Sequence, residues 1–230
     1  MYNRVLLKIS GEALSSDKSA LCAETIAKTA SDIAYLYGKG VEIGIVTGGG
    51  NILRGRSSGS MERNRADHMG MLATAINSLA LQDALEKLNV PCVVLSAADM
   101  PKFCDTYSSR AALKHLKEKT VVLFACGTGC PFFSTDTGAA LRAAEIGADV
   151  LLLAKNIDGI YSADPKLDPS ATKYDHISYD KVIHDDLKAT DITAITLCRE
   201  RAIPIHAFAL ADIRRLIDGE SVGTVIDAVE

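Results

Sequence analysis

Apolar and polar positions follow two different periods along this chain, and the switches between them mark out its elements. Short, nearly continuous aliphatic runs occur at Arg4–Ser10 (RVLLKIS), Val41–Thr47 (VEIGIVT), Pro91–Ala97, Thr120–Cys126, Asp149–Ala154, Pro204–Phe208 and Gly223–Ile226. Runs so short and so uniformly apolar predict strands covered on both faces, as in a parallel sheet. Between them the spacing changes to threes and fours. Ile26, Ala30, Ile33, Ala34 and Tyr37 share one stripe and predict a helix over 23–38, stopped by Gly38 and Gly40. Met69, Leu72, Ala73, Ile76, Leu79, Ala80 and Leu85 predict a long helix over roughly 65–88. Shorter helices are predicted near 108–117, 137–146, 179–187, 192–202 and 210–217, the fourth with Asp191 as its N-cap. Strands alternating with helices imply βαβ crossovers and a mostly parallel α/β sheet. The stretch 156–179 breaks the rhythm with Asp158-Gly159, Asp164-Pro165 and Asp168-Pro169, and reads as an excursion of turns. With no repeat, low-complexity tract or long linker, the chain reads as one α/β domain.

Composition narrows the classes of function. Twenty-five Lys and Arg against 29 Asp and Glu leave a net charge of -4, which argues against binding nucleic acid or an acidic membrane surface in bulk. A small anionic ligand stays open, because local charge decides that. Seven Tyr, five Phe and no Trp make the core aliphatic. The six cysteines have no metal-ligand spacing, and Cys92 and Cys126 sit in apolar runs as small core residues. The five histidines form no triad and no metal spacing, so no resident metal site is expected. The start of the chain lacks the apolar core of a signal peptide, and no apolar stretch reaches membrane-helix length, so a cytoplasmic protein is expected.

Three segments carry chemistry. Thr47-Gly48-Gly49-Gly50-Asn51 leaves a strand and heads for a helix, so its amides can turn inward as an anion site, with Arg54 just beyond to clamp phosphate oxygens. The alternative is a tight turn with a surface arginine. Lys8, followed by Ser10 and Gly11, is awkward near the end of an apolar strand unless it faces a ligand at the sheet's carboxyl edge. The third loop, Gly127 to Asp136, offers hydroxyls, amides and a carboxylate at a helix start. Asp164 and Asp191 are further carboxylates, each of which would also serve as a turn or cap residue. There is no P-loop lysine motif, and Gly127-Thr-Gly129 fails the dinucleotide fingerprint at Phe132. Gly55-Arg-Ser57-Ser-Gly59 matches a nucleophile elbow by chance, since no strand directly precedes it.

Taken in order, Lys8-Ile-Ser-Gly-Glu-Ala13, Thr47-Gly-Gly-Gly-Asn51 with Arg54-Gly55, Arg65-Ala-Asp67-His-Met-Gly-Met-Leu72, Gly127-Thr-Gly-x-Pro-Phe-Phe133 and Asp158-Gly-x-Tyr-x-Ala-Asp-Pro165 resemble the bacterial UMP kinases of the amino-acid-kinase superfamily. The resemblance implies a three-layer α/β/α sandwich with a mostly parallel central sheet. It implies an acceptor-binding lobe of roughly residues 1–145 and an ATP-binding lobe of roughly 146–230. Lys8, Ile9, Ser10 and Gly11 would hold the ATP phosphates, with Gly50 and Arg54 at the transferred phosphoryl. Lys155, Tyr161 and Asp164 would complete the ATP side. Gly49, Asp67 and the loop Thr128, Gly129, Cys130, Pro131, Phe132, Phe133, Ser134 and Thr135 would hold UMP, Asp67 at the ribose. Lys8, Arg54, Asp136 and Asp191 would be the catalytic set, the two carboxylates orienting the two cations. The resemblance also implies Mg2+ carried by ATP, a homohexamer and inhibition by UTP.

This sequence departs from the family in four places. Cys130 stands where many relatives carry Asn, and Ser134 where Thr is usual. The stretch 14–21 is shorter than the family's loop, and Gln82 stands where GTP-activated relatives tend to have Arg, so GTP activation is not carried over. Two rival readings predict different behaviour: a carboxylate kinase of the same superfamily, and a nucleotide-binding regulator without turnover.

Overall fold

The computed structural model describes residues 2–53, 61–165, 167–187 and 190–229. The strands are β1 (Arg4–Ile9), β2 (Glu42–Thr47), β3 (Cys92–Ser96), β4 (Asp105–Thr106), β5 (Val121–Ala125), β6 (Val150–Lys155), β7 (Ile160–Tyr161), β8 (Lys173–Tyr174), β9 (His176–Ser178), β10 (Ile205–Ala209) and β11 (Thr224–Asp227). The helices are α1 (Ala23–Gly38), α2 (Arg63–Lys87), α3 (Ser109–Lys117), α4 (Thr135–Ile146), α5 (Tyr179–His184), α6 (Ile192–Glu200) and α7 (Ile213–Ile217).

Among the described residues, nine strands join in the order β4-β3-β5-β2-β1-β6-β10-β11-β9. Every pairing is parallel except β10 with β11. Alternation along each strand sends side chains to two separate cores. Val5, Leu7 and Ile9 pack with Ile33, Leu36 and Leu85 of α1 and α2. Leu6 packs with Leu116, Ala139, Ala143 and Ile195 of α3, α4 and α6. The result is a sheet covered on both faces, a three-layer α/β/α sandwich. Each fully buried Leu or Ile contributes roughly 1.5–3 kcal/mol of transfer free energy.

The same alternation places the functional edge. Lys8 falls on the face of Leu6, so its side chain leaves β1 toward α4, not toward α1. Lys8 pairs in register with Val46 of β2 and Leu153 of β6, and Val46 pairs with Phe124 of β5. The carboxyl ends of the four central strands are therefore level. The chain runs from β1 first to β2 and later returns to β6 on the other side, which opens a crevice above β1.

Two sequence expectations change. The stretch 156–179 is not only turns, because β7 and β8 pair antiparallel and β9 extends the main sheet beside β11. Thr224 ties this excursion down: its buried hydroxyl accepts from the Ile160 N–H at 2.8 Å and donates to the Tyr174 carbonyl. A three-residue strand beside polar neighbours has too little apolar periodicity to be read from sequence. The apolar stripe of α2 also splits. Ala73 and Leu85 are buried, whereas Met69, Leu72, Ile76 and Leu79 stand exposed in a row. The buried face of α2 is instead partly polar, with Thr74, Asn77 and Ser78 under the β2 loop.

Candidate active site

A cavity of ≈ 890 Å³ opens at the carboxyl edge of the sheet, lined by β1, the loops after β2 and β5, the first half of α2, the start of α4 and the α5–α6 region. At its floor the Lys8 Nζ lies 2.7 Å from Asp136 Oδ1, with side-chain exposures of 15% and 20%. Asp136 sits in the first turn of α4, where the helix terminus favours negative charge. Thr190 donates to its other oxygen at 2.7 Å. Burial pushes the Asp136 carboxyl up, yet the charge and hydrogen bond of Lys8, with help from Thr190 and Lys155, hold it below the ordinary value. Lys155, at the end of β6, is pulled down first by burial and also by Lys8, against the opposing pull of Asp136. Asp136 thus pairs directly with Lys8 and also attracts the Lys155 ammonium at the end of β6.

The glycine loops are held together by close approach. The Gly48 N–H donates to the Ile9 carbonyl at 2.8 Å. A Cβ on Gly11 would lie 2.2 Å from Asn51 Oδ1, and one on Gly49 would lie 2.7 Å from the Gly70 carbonyl of α2. Three segments meet with no space for side chains. Buried Asn77 of α2 locks the arrangement, donating to the Gly48 carbonyl at 2.6 Å and to Asn51 Oδ1 at 2.8 Å. Asn51 in turn donates to the Ala20 carbonyl at 2.7 Å. Of the triple glycine, Gly50 is the exposed member.

The loop after β5 runs through left-handed backbone at Cys126 (φ 63), Gly127 (φ 56), Gly129 (φ 79) and Phe132 (φ 72). Its middle is anchored to α2, where Asp67 Oδ2 accepts from the Phe132 N–H at 2.8 Å and pairs with Arg63 Nε at 2.9 Å. Its end is Ser134, which caps α4 by accepting from the Thr137 N–H at 3.0 Å. Asp191 caps α6, accepting from the Ala194 N–H at 2.9 Å. Its carboxylate also accepts from the Thr137 hydroxyl at 2.8 Å and from the Ser134 hydroxyl. In this state Asp191 therefore joins two helix N-termini through hydroxyl groups.

Of the residues singled out from sequence, Lys8, Gly49, Gly50, Asp67, Thr128, Cys130, Phe133, Ser134, Thr135, Asp136 and Asp191 line the cavity together. Ile9, Ser10, Gly11, Gly129, Pro131, Phe132, Lys155, Tyr161 and Asp164 are not in its wall. Ile9 is fully buried, so it has only its backbone to offer. Tyr161 donates to Asp158 Oδ1 at 2.9 Å on the β7 side of the molecule. Arg54 and the Gly55–Gly59 match lie outside the described residues. Sequence reasoning missed Arg63, Thr190 and the apolar wall of Val182, Leu187 and Ile195. Arg63 had a signal, since it stands four residues before Asp67 on a helix. The wall had none, because α5 and α6 reach the cavity only through tertiary packing. No group of three or more His, Cys, Asp or Glu among the described residues is placed to hold a metal.

The model of the amino acid kinase family matches residues 3–208. The chain belongs to that family. Among solved structures, this chain is similar over 100% of its length to the UMP kinase of Bacillus anthracis, at 34% identity and TM-score 0.96, covering 97% of that chain. It is similar over 99% of its length to the UMP kinase of Ureaplasma parvum, at 38% identity and TM-score 0.92, covering 99% of that chain. The uridylate kinase of Archaeoglobus fulgidus matches over 96% of the present chain and 99% of its own, at 29% identity and TM-score 0.73. Within the family the chain thus has the fold of bacterial UMP kinases along its whole length.

Proposed function

We propose that this member of the amino acid kinase family transfers the γ-phosphoryl group of Mg2+-ATP to UMP, giving ADP and UDP. The observation that carries the reading is the Lys8–Asp136 pair at the floor of a cavity walled by the glycine loops and by Asp67 with the β5–α4 loop. Full-length likeness to bacterial UMP kinases supports the choice of acceptor.

An oxygen of the acceptor phosphate forms a bond to the γ-phosphorus as the bond to the bridging oxygen breaks, and that oxygen leaves with ADP. The acceptor is already an anion, so no protein base is needed, and the work is positioning and neutralising charge. Lys8 supplies positive charge at the transferred oxygens, held in line by Asp136. Arg54 is assigned as the second cation. Ser10, Gly11 and Gly50 bring amides to the donor phosphates; Lys155, Tyr161 and Asp164 form the rest of the donor side. Asp67 takes the ribose hydroxyls, and the loop 128–135 takes the uracil. Asp191 is assigned as an orienting carboxylate, acting through Ser134 and Thr137. Mg2+ arrives as part of the nucleotide substrate and supplies further charge neutralisation. That fits the engagement of Asp136 with Lys8 and Thr190 and of Asp191 with hydroxyls and a helix amide, since Mg2+ is commonly bound through substrate phosphates with only one or two carboxylates. The lobe up to about residue 145 carries the acceptor, and the remainder carries ATP.

A coupled ADP-release assay with UMP, CMP, dUMP and N-acetylglutamate tests the reading. UMP-dependent turnover is expected, with little from the others. Turnover with the amino-acid derivative alone would favour the carboxylate-kinase reading, and none with any acceptor in folded protein would favour a regulator.

Assembly into a homohexamer in the cytoplasm belongs to the same reading. Its structural support is the exposed row Met69, Leu72, Ile76 and Leu79 on α2, an apolar face suited to a second copy of the chain. Replacing Leu72 and Ile76 with Asp should lower the mass measured by light scattering to that of a smaller species. An unchanged mass would exclude this face as an interface. No described helix is long and apolar enough to cross a membrane.

A further inference from the structure

Behind the acceptor loop lies a polar cluster, built around a buried arginine, that the reaction scheme does not use. Arg142 of α4 is 3% exposed. Its guanidinium donates to the Gly127 carbonyl at 2.8 Å and to Glu145 Oε2 at 2.5 Å, and stacks 3.8 Å from the Tyr107 ring centroid. Tyr107 donates its hydroxyl to the same Glu145 carboxylate and sets its ring edge-on against Phe124 of β5. The charge, the planar fork and the ring face of Arg142 are thus all engaged.

The carbonyl it holds opens the acceptor loop. Cys126 and Gly127 both take left-handed backbone there, and for a cysteine that conformation persists only where its surroundings impose it. Two side chains impose it from opposite sides of the sheet. Thr74 of α2 accepts from the Cys126 N–H at 2.8 Å, and Arg142 fixes the next carbonyl. The far end of the loop is fixed to the same helix, because Ser134 caps α4. One rigid helix therefore clamps both ends of the segment 127–134. The third anchor, Asp67 on the Phe132 N–H, is the residue assigned to the acceptor's ribose, so the end clamps must hold the loop while Asp67 engages a ligand. Burying an arginine against a partly exposed carboxylate is a poor way to gain stability compared with an apolar residue of the same size. Its worth lies in fixing where the carbonyl, and so the amides after it, point.

We infer that Arg142 is a positioning residue for acceptor specificity, acting through the Gly127 carbonyl with Glu145 and Tyr107 as its frame. The inference rests on the UMP-kinase reading, and wild-type turnover of UMP is measured first; its absence would defeat that reading before any variant is made. In the full chain, Arg142→Met keeps the volume and loses the donors. The KM for UMP should rise about tenfold or more while the KM for ATP stays within about twofold, with partial recovery in Arg142→Lys. Equal rises in both KM values, or a lowered melting temperature with both KM values unchanged, would overturn the inference. Should Arg142→Met not fold, Glu145→Gln decides, since it keeps the shape and weakens the charge-assisted bond that orients the guanidinium. A severalfold higher KM for UMP alone supports the inference, and an unchanged one refutes it.

Discussion

Lys8→Ala should lower kcat roughly a hundred- to a thousandfold while leaving the affinity for UMP nearly as it is. Register and alternation put the lysine at the level carboxyl ends of the central strands, facing α4 and not the apolar core below α1. Its ammonium is largely buried against Asp136, so it adds charge in a place where water screens little. Phosphoryl transfer asks most of such a fixed cation when charge shifts to the bridging oxygen, and less when the acceptor merely binds. On the proposed division of the site, acceptor affinity depends instead on Asp67 and the 128–135 loop. Steady-state kinetics paired with calorimetric titration of UMP separates the two effects. Lost UMP binding with an intact rate would contradict the division of the site. Lys8→Arg should recover little, because the guanidinium fork does not fit a space shaped for a point charge beside one carboxylate oxygen.

Asp136→Asn should cost both rate and stability, and the pH dependence distinguishes it from a simple packing defect. The carboxylate accepts from Lys8 and Thr190, and Lys8 and Lys155 both feel its charge. Removing the charge takes the ion-pair partner from Lys8 and an attraction from Lys155, a loss of about 2–3 kcal/mol once partial exposure is allowed for. The folded Asp136 is held below its unfolded value of 3.8. Its contribution is therefore complete above that value and is lost as pH falls through the folded value. Thermal melts of wild type and variant should differ by a constant amount near neutrality and converge only in strong acid. A gap that persists unchanged at the acid end would show that charge is not its source. Lys155 gives the matching alkaline signature. Burial already draws it below its ordinary value, and without Asp136 it should fall further. The alkaline limb of kcat should then move to lower pH in the variant.

Particular residues show how far the sequence could be read. The strands β1, β2, β5 and β6 and the helix α1 were legible because nearly continuous aliphatic runs and regular spacing leave few ways to bury them. Lys8 and the glycine triplet were legible because each breaks a local rule: a charge in an apolar strand, and three glycines at a strand end. The small strands β4 and β7 to β9 were not legible, since a two- or three-residue strand draws its stability from a neighbour already in place. Gly48 and Gly49 looked like an amide site, and the structure adds that Gly48 lies tight against Gly11 and that Gly49 meets α2 at a distance no side chain allows. The stripe on α2 looked like one core face, yet half of it points outward. Period alone reports that a face is apolar and leaves open what covers it.

What the chain's pattern determined by itself was the parallel α/β architecture and the edge of the sheet where chemistry would gather, because period and strand-end chemistry are local properties. Which carboxylate meets Lys8, how Asn77 locks the glycine loops and how Arg142 grips Gly127 were decided only by tertiary structure. Each of those contacts joins residues more than a dozen positions apart on different elements. Their geometry depends on strand register and helix docking, to which no local pattern in the sequence is sensitive.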